Sequence, residues 1–263
     1  RRGYLMPIGG AEDKGNDPRI LGRFLEICGG EKARIVVIPT ASRLPDTGAM
    51  YTDLFMDLGA DRALFTDINE RSDCDDELLL EEMDAATGIF VTGGNQLRLS
   101  GILGGTPVGQ RLRRLNADGI PIAGTSAGAA MMSQHMIVGG ASGNSPREDG
   151  VNLAPGIGLI NTAIIDQHFS QRDRLGRLLT ALSYNPFLIG VGIDEDTAFL
   201  IDDDGKGEVI GNGVVTILDA SDLSHSSRSS ASSGAPLSLV DMRLHVLAEG
   251  CFFDMQSREV TLC

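Results

Sequence analysis

The chain has 263 residues, enough for one large domain or two small ones with a substantial buried core. Its 34 glycines and 42% hydrophobic residues are typical of a globular protein with many tight turns. The formal net charge of −14 argues against nucleic acid and anionic membrane surfaces as partners, and it favours a cationic substrate.

The four cysteines are scattered along the chain without a C-x-x-C pair. This pattern predicts neither a metal site nor a disulfide framework, and it favours a reducing, cytoplasmic compartment, with secretion as the alternative. The apolar runs are only as long as strands, so no transmembrane helix is expected. The glycine pair at 93–94 lacks the G-x-x-x-x-G-K-[ST] and G-x-G-x-x-G contexts, and no cofactor is predicted.

The first two hundred residues alternate short β-branched runs with amphipathic stretches. The opening segment YLMPIGG predicts a strand, and DPRILGRFLEICGG predicts a helix with Asp17 at the N-cap and Pro18 at position N1. This alternation, with continuous apolar strands, predicts an α/β fold in which helices cover both faces of a mostly parallel sheet. The elements that follow are ARIVVIPTAS (strand), TGAMYTDLFMDLG (helix), RALFT (strand), DDELLLEEMDAAT (helix), GIFVTGG (strand), NQLRLSGILGG and TPVGQRLRRLNADG (helices) and IPIAG (strand).

After about residue 150 the alternation resumes with GIGLINTAIIDQHF, the helix RDRLGRLLTALSYN and the segment FLIGVGIDEDTAFLI. The C-terminal part differs, because GEVIGNGVVTILDA, LVDMRLHVLAEG and CFFDMQSREVTL predict antiparallel strands joined by Gly and Asp turns. Residues 221–236 are serine-rich, of low complexity, and predict a flexible loop. We therefore expect one α/β domain over residues 1–263 with an antiparallel C-terminal extension.

The pentapeptide GTSAG, residues 124–128, lies between the predicted strand IPIAG and a run of helix-forming residues. G-x-S-x-G in this context is the nucleophile-elbow pattern, in which the serine occupies a strained turn and small neighbours prevent clashes. Ser126 is then a candidate nucleophile, and the Ala127 amide at the helix N-terminus a candidate oxyanion donor. The alternative is a helix N-terminus that needs small residues only for packing.

A serine nucleophile requires a base, and the chain contains four histidines. His135 is nine residues further along the predicted helix, about 13 Å away by helical rise. His225 lies in the serine-rich segment and His245 lies inside a predicted strand. His168 follows the end of a predicted strand, where sites assemble in open α/β sheets, and is the candidate base for Ser126.

The base in turn needs an acid that holds its tautomer. Asp194, Glu195 and Asp196 follow another apolar strand, and Glu195 is the first choice as the partner of His168. Asp194 remains an alternative, and Glu148 in SPREDG is the reserve candidate. The order Ser–His–Glu along the chain differs from the Ser–acid–His order of α/β-hydrolases, which disfavours that family.

Four motifs together identify a family: GTSAGA, GGNQ at 93–96, DQHFSQRDRLGRL at 166–178 and GIDEDTA at 192–198. With them the chain resembles the cyanophycinases, serine peptidases related to the aspartyl dipeptidase peptidase E, over nearly its whole length. The resemblance implies a fold like that of class I glutamine amidotransferases (flavodoxin-like). It also implies hydrolysis of cyanophycin, a poly-aspartate backbone with arginine joined to each β-carboxyl, from the chain end to β-Asp-Arg dipeptides, without a metal or cofactor.

Carried over position by position, the resemblance implies that Ser126 is the nucleophile, His168 the base and Glu195 the acid. The Ala127 amide and Gly94 are expected to hold the oxyanion. The residues implied for the substrate pocket are Gln96, Asp166, Gln167, Arg172, Arg174 and Arg177.

The arginine cluster has two interpretations. Without the resemblance, a solvated helix surface is favoured, on which Arg174 and Arg177 share a face and Arg172 does not. With it, the guanidinium groups bind substrate carboxylates bidentately, and Asp166 receives a substrate arginine.

Two other functions stay open: an α-aspartyl dipeptidase of the peptidase E type and a non-catalytic cyanophycin-binding protein. A glutaminase-type amidotransferase is disfavoured because that chemistry uses a cysteine at the elbow. Since members of this fold often pair, we expect a homodimer.

Overall fold

The computed structural model describes residues 1–262, so Cys263, the last residue of the expected domain, lies outside the described residues. The strands are β1 (Leu5–Ile8), β2 (Arg34–Ile38), β3 (Arg62–Phe65), β4 (Gly88–Val91), β5 (Ile122–Thr125), β6 (His135–Gly140), β7 (Val151–Pro155), β8 (Ala163–Gln167), β9 (Ile189–Ile193), β10 (Thr197–Ile201), β11 (Lys206–Gly211), β12 (Val215–Asp219), β13 (His225–Ser226), β14 (Leu239–Val240), β15 (Arg243–Leu247), β16 (Phe252–Asp254) and β17 (Val260–Thr261). The α-helices are α1 (Arg19–Ile27), α2 (Thr47–Asp57), α3 (Glu77–Asp84), α4 (Gln96–Leu103), α5 (Pro107–Ala117), α6 (Ala127–Ala130) and α7 (Leu175–Tyr184). Short 3₁₀ helices occur at Gly30–Lys32, Arg71–Asp75 and Arg228–Ser230.

The strands form two main sheets. The larger has nine strands in the order β17-β16-β11-β10-β1-β5-β4-β2-β3, and the smaller has the order β15-β12-β9-β8. In the larger sheet β1, β5, β4, β2 and β3 pair in parallel, whereas β1 and the strands beyond it pair antiparallel. The predicted mixed α/β class is confirmed, but half of the large sheet is antiparallel and the remaining strands are divided between sheets.

The chain passes between the two sheets four times, and two of these passages span only three residues each. Strand β9 belongs to the smaller sheet and β10, only three residues later, belongs to the larger one. Strands β11 and β12 repeat this exchange in the opposite direction. Both connections contain a residue with positive φ, Asp196 at 49° and Gly211 at 117°, which turns the chain out of its sheet.

Helices pack on both faces of the parallel strands because successive strand residues point to opposite faces. On β2, Ile35 and Val37 join a core formed with α1 and α2, whereas Val36 and Ile38 join a core formed with α3, α4 and α5. The smaller sheet contributes to the second of these cores through residues such as Ile165. Its other face packs against α7 and the β6–β7 hairpin.

Two helix predictions were wrong in detail. Helix α1 begins at Arg19, and Pro18 rather than Asp17 is its N-cap residue, because the Asp17 carboxylate accepts a hydrogen bond from the Arg19 side chain instead. Helix α6 ends at residue 130, and His135 begins β6. The helix stops because the carbonyls of Met131 and Met132 accept hydrogen bonds from the segment 157–160 rather than from the next helical turn.

The serine-rich segment 221–236 contains β13 and a 3₁₀ helix. It contacts the β6–β7 connection: Glu148 N donates to Ala235 O (2.9 Å), and the Arg147 side chain donates to Gly234 O (3.2 Å). Its predicted flexibility stays a prediction. Across residues 1–262, every helix is too short or too polar to cross a membrane.

Candidate active site

Ser126 occupies an unusual backbone conformation between β5 and α6, with φ 52° and ψ −109°. Its amide donates to Ile8 O (3.0 Å), which fixes it at the carboxyl end of the parallel strands. A Cβ at Gly124 would lie 2.4 Å from Gly128 O, and one at Gly128 would lie 2.3 Å from Val91 O. The glycines of GTSAG are therefore required by close backbone contacts around the serine.

His168 lies immediately after β8 and also has a positive φ, 47°. Its amide donates to Gly9 O (2.8 Å), and its Nε2 is 2.9 Å from Ser126 Oγ. The ring packs on Gly10, where a Cβ would come within 2.3 Å of Cε1. Gly10, after β1, thus makes room for the imidazole beside the serine.

Glu195 contacts the other ring nitrogen, with Oε1 2.6 Å from His168 Nδ1. Its own amide donates to the side chain of Gln171 (3.0 Å). The competing carboxylates lie elsewhere: Asp194 accepts hydrogen bonds from Ser170 and from the Val214 amide, and Glu148 lies near the serine-rich segment. The structure therefore connects Ser126, His168 and Glu195 in one chain of hydrogen bonds.

Burial lowers the pKa of His168 below its ordinary value of 6.5, the cations of Arg172 and Arg174 lower it further, and the hydrogen bond to Glu195 partly opposes these effects. A neutral imidazole whose Nδ1–H faces a carboxylate presents Nε2 as an acceptor for the serine proton. The arrangement can therefore perform general-base catalysis at neutral pH.

Two amides near the serine lack an acceptor among residues 1–262: that of Ala127, at the first position of α6, and that of Gly94. Gly94 has φ 144°, and a Cβ there would lie 2.0 Å from Ala41 O. Its neighbour Gly93 lies beside the serine, since a Cβ there would be 3.8 Å from Ser126 Oγ. The expected oxyanion donors thus follow Ser126 directly, at Ala127, and follow its neighbour Gly93, at Gly94.

Several expected pocket residues bind one another. Asp166, 1% exposed, accepts hydrogen bonds from Arg177 Nε (2.7 Å) and Nη2. Arg174 Nη1 donates to the backbone and side-chain oxygens of Gln167 (2.6 and 2.8 Å) and lies 3.6 Å from the Asp166 carboxylate. Asp166 is therefore already paired internally, where a substrate arginine had been expected.

The two remaining pocket candidates are more accessible. Gln96 is the first residue of α4 and directly follows the Gly94–Asn95 turn. Arg172 is exposed, and its amide donates to His168 O (3.0 Å). The helix was predicted to begin at Arg172, but α7 begins at Leu175, so Arg172 lies before the helix.

The sequence profile of Peptidase family S51 matches residues 5–209. The chain belongs to peptidase family S51. Several full-length relatives carry the name cyanophycinase, and the resemblance stated from the motifs is thereby confirmed. The relative from Trichormus variabilis is 43% identical over 258 residues, covering 97% of this chain and 87% of the relative. That from Geminocystis herdmanii is 42% identical over 260 residues, covering 98% and 96%.

Solved structures support the fold of this S51 chain. A peptidase from an acI-B1 actinobacterium superposes with a TM-score of 0.67 at 22% identity, covering 100% of this chain and 97% of that one. A putative peptidase E protein from Listeria monocytogenes superposes with a TM-score of 0.55 at 18% identity, covering 81% and 98%. At these identities the likeness concerns the fold.

Sequence reasoning missed the segment 9–13 of this S51 chain as part of the site. Besides Gly10, it contributes Glu12, a buried carboxylate that accepts hydrogen bonds from the hydroxyls of Tyr51 and Thr125, the residue before the serine. The signal was present in IGGAED, where two glycines and an acid follow a strand. Residues 1–262 contain no cluster of His, Cys, Asp and Glu suited to a metal ion.

Proposed function

We propose that the protein is a serine-type exopeptidase that hydrolyses cyanophycin to β-Asp-Arg dipeptides through an acyl-enzyme. The observation that carries the proposal is the continuous contact from Ser126 Oγ through His168 to Glu195 in a family S51 chain. The 43% identity to relatives named cyanophycinase supports the substrate.

In this mechanism Ser126 Oγ attacks the amide carbonyl between consecutive aspartates while His168 Nε2 takes its proton. Glu195 accepts the hydrogen bond from Nδ1–H and stabilises the imidazolium. The Ala127 and Gly94 amides stabilise the oxyanion. When the carbonyl re-forms, His168 gives the proton to the departing amine, and the ester is then hydrolysed by a water that His168 deprotonates.

We assign the arginine cluster two roles. Arg172 and Arg174, whose charges act on His168, hold substrate carboxylates beside the catalytic base, together with Gln96. Asp166 and Arg177 form a buried pair that, with Gln167, holds Arg174 in place. The Asp166 and Arg177 side chains are 1% and 7% exposed and bind each other. Arg172 is exposed, and Arg174, 12% exposed, donates to Gln167 through Nη1 only.

The test is incubation of the purified protein with insoluble cyanophycin, followed by mass spectrometry of the soluble products. We expect the wild type to release β-Asp-Arg and Ser126→Ala to lose about 10³-fold or more of this activity, since it removes the nucleophile. Cleavage of free aspartyl dipeptides without release from the polymer would favour the α-aspartyl dipeptidase. Binding to the polymer without release, and without labelling of Ser126 by a phosphonate probe, would favour a non-catalytic binding protein.

We further propose a class I glutamine amidotransferase-like arrangement, supported by five parallel strands with the serine after β5.

A homodimer is proposed because Leu244 and Val246 of the edge strand β15 are exposed, and light scattering would measure the mass of the particle in solution. A reducing, cytoplasmic location is proposed on the buried free thiols of Cys28 and Cys74. Fractionation of the native cells would check it.

A further inference from the structure

A cavity of about 540 Å³ lies at the carboxyl ends of β2 and β3. The segments 39–45 and 65–69 form its walls, and Arg98 of α4 completes them. The mechanism above does not use this cavity, which we call the strand-end cavity. In open α/β sheets ligands bind at this edge of the sheet.

Two threonine hydroxyls in the strand-end cavity lack partners. Thr40 and Thr66 are each 3% exposed, and neither Oγ1 has a hydrogen-bond partner among residues 1–262. A buried hydroxyl without a partner is costly, so nearly all such groups in proteins are hydrogen-bonded. The two hydroxyls are therefore available to a polar ligand in the cavity.

The rim of the strand-end cavity carries one cation and one anion that are not paired. Arg43 and Asp67 are both exposed, and neither forms an ion pair within the described part of the chain. One oxygen of Asp67 accepts from the Asn69 side chain (2.7 Å), which leaves the other oxygen free to accept. Arg98 is occupied, since it donates to Thr40 O and Asn69 O.

The wall of the strand-end cavity contacts the loop that lies beside the candidate serine. Ala41, between two lining residues, accepts a hydrogen bond from the Asn95 amide (2.9 Å), and Gly94 packs directly on its carbonyl. Gly93, one residue earlier, lies beside Ser126. The loop 93–95 therefore contacts both Ser126 and the segment that forms one wall of the strand-end cavity.

We propose that the strand-end cavity binds an arginine unit of the substrate, Arg43 pairing with its carboxylate and Asp67 with its guanidinium. The inference rests on the proposed function. An arginine joined to the polymer through its α-amino group keeps one carboxylate and one guanidinium, which matches the opposite charges on the rim. The hydroxyls of Thr40 and Thr66 accept further hydrogen bonds from the guanidinium, which has five N–H donors.

The first test is calorimetric binding of Nα-acetyl-L-arginine, which carries the same amide, carboxylate and guanidinium. We expect Asp67→Asn and Arg43→Gln each to weaken binding about tenfold, because each removes a charge-assisted pair. The matched controls, Asp53→Asn and Lys32→Gln, change exposed charges outside the cavity and keep wild-type affinity. Equal affinity of all five proteins would overturn the proposal.

Nα-acetyl-L-argininamide separates the two charges, because it lacks the carboxylate. Arg43→Gln should not change its binding, whereas Asp67→Asn should weaken it. An Arg43→Gln effect of the same size on both probes would contradict the assignment of Arg43 to the carboxylate.

Thr66→Val removes one unpartnered hydroxyl and preserves the shape of the side chain. We expect a higher melting temperature and weaker probe binding, because the hydroxyl has a partner only in the complex. A lower melting temperature, or unchanged probe affinity, would contradict this role for Thr66.

Hydrolysis of the polymer distinguishes the subsite from the function on which it rests. If the wild type releases β-Asp-Arg and Asp67→Asn raises KM about tenfold, both stand. An unchanged KM in Asp67→Asn and Arg43→Gln would overturn the subsite alone. A wild type that binds Nα-acetyl-L-arginine through Asp67 but releases nothing from the polymer would overturn the function and leave an arginine-binding cavity.

Discussion

At the scale of single residues, the candidate site concentrates backbone strain. Ser126, His168 and Asp196 have φ values of 52°, 47° and 49°. Residues other than glycine rarely adopt this backbone conformation, which costs about 1–3 kcal/mol for each residue. Each is held by neighbouring backbone: Ser126 N donates to Ile8 O, His168 N to Gly9 O and Asp196 N to Gly10 O. The carbonyls of residues 8–10, at the end of β1, therefore hold the candidate nucleophile, the candidate base and the turn that follows Glu195.

The pH dependence of kcat/KM should follow the titration of His168. The base must be neutral to take the serine proton, and burial lowers its pKa below 6.5, so the acidic limb of kcat/KM should be centred below pH 6.5. The measurement is kcat/KM from pH 4 to 8, in buffers of constant ionic strength. An acidic limb centred above 6.5 would contradict the structure.

The Arg172→Gln variant tests how a neighbouring cation affects the titration of His168, and Arg43→Gln is its control. Removing this cation takes away one influence that lowers the pKa of His168, so the acidic limb should move to higher pH. Arg43→Gln, which removes an arginine that does not act on His168, should leave the limb in place. An Arg172→Gln limb that coincides with the wild-type limb would contradict the electrostatic contact.

At the scale of elements, a buried ion pair joins β8 to α7. Asp166 lies near the carboxyl end of β8. The Arg177 side chain, from the first turn of α7, donates two hydrogen bonds to the Asp166 carboxylate. Both side chains are almost fully enclosed. Removing one partner of such a pair leaves an uncompensated buried charge, which is strongly destabilising.

Asp166→Asn should therefore lower the free energy of unfolding by about 3–5 kcal/mol. Urea denaturation followed by circular dichroism measures this change, and Asp57→Asn, which alters an exposed carboxylate on α2, should stay within about 0.5 kcal/mol of the wild type. Unchanged stability with a raised KM would instead indicate that Asp166 contacts the substrate directly.

At the scale of the whole molecule, the two sheets share a hydrophobic core. One buried cluster includes Val36 and Ile89 of the large sheet together with Ile165, Val191 and Ile217 of the small one. The chain also crosses between the sheets at four places, so neither sheet is formed from one continuous part of the sequence. The two sheets should consequently unfold together, as one domain.

Differential scanning calorimetry should show a single unfolding transition whose calorimetric and van't Hoff enthalpies agree. Two separated transitions would contradict a single domain.

Limited proteolysis below that transition tests the serine-rich segment, where early cleavage within residues 221–236 would support its predicted flexibility.

The α/β class, the parallel strands up to β5 and the residue types at the candidate site could be predicted from the sequence alone. Hydrophobic periodicity and glycine placement are local properties, and GTSAG identified Ser126 because a strained turn needs small neighbours. The predicted positions of the other three histidines left His168 as the candidate base, although His135, excluded as a helix residue, begins β6.

Which side chains and backbone groups contact one another depends on the tertiary structure. The helix predicted after Ser126 ends early because the amides of Ile157 and Ile160 donate to the carbonyls of Met131 and Met132. Asp166 binds Arg177 rather than facing an open pocket. Glu195 reaches His168 because β8 and β9 pair in parallel and end at the same edge. The strand-end cavity likewise combines the segment after β2, the end of β3 with the segment after it, and Arg98 of α4. Contacts between distant segments depend on strand order and register, which local sequence patterns do not encode.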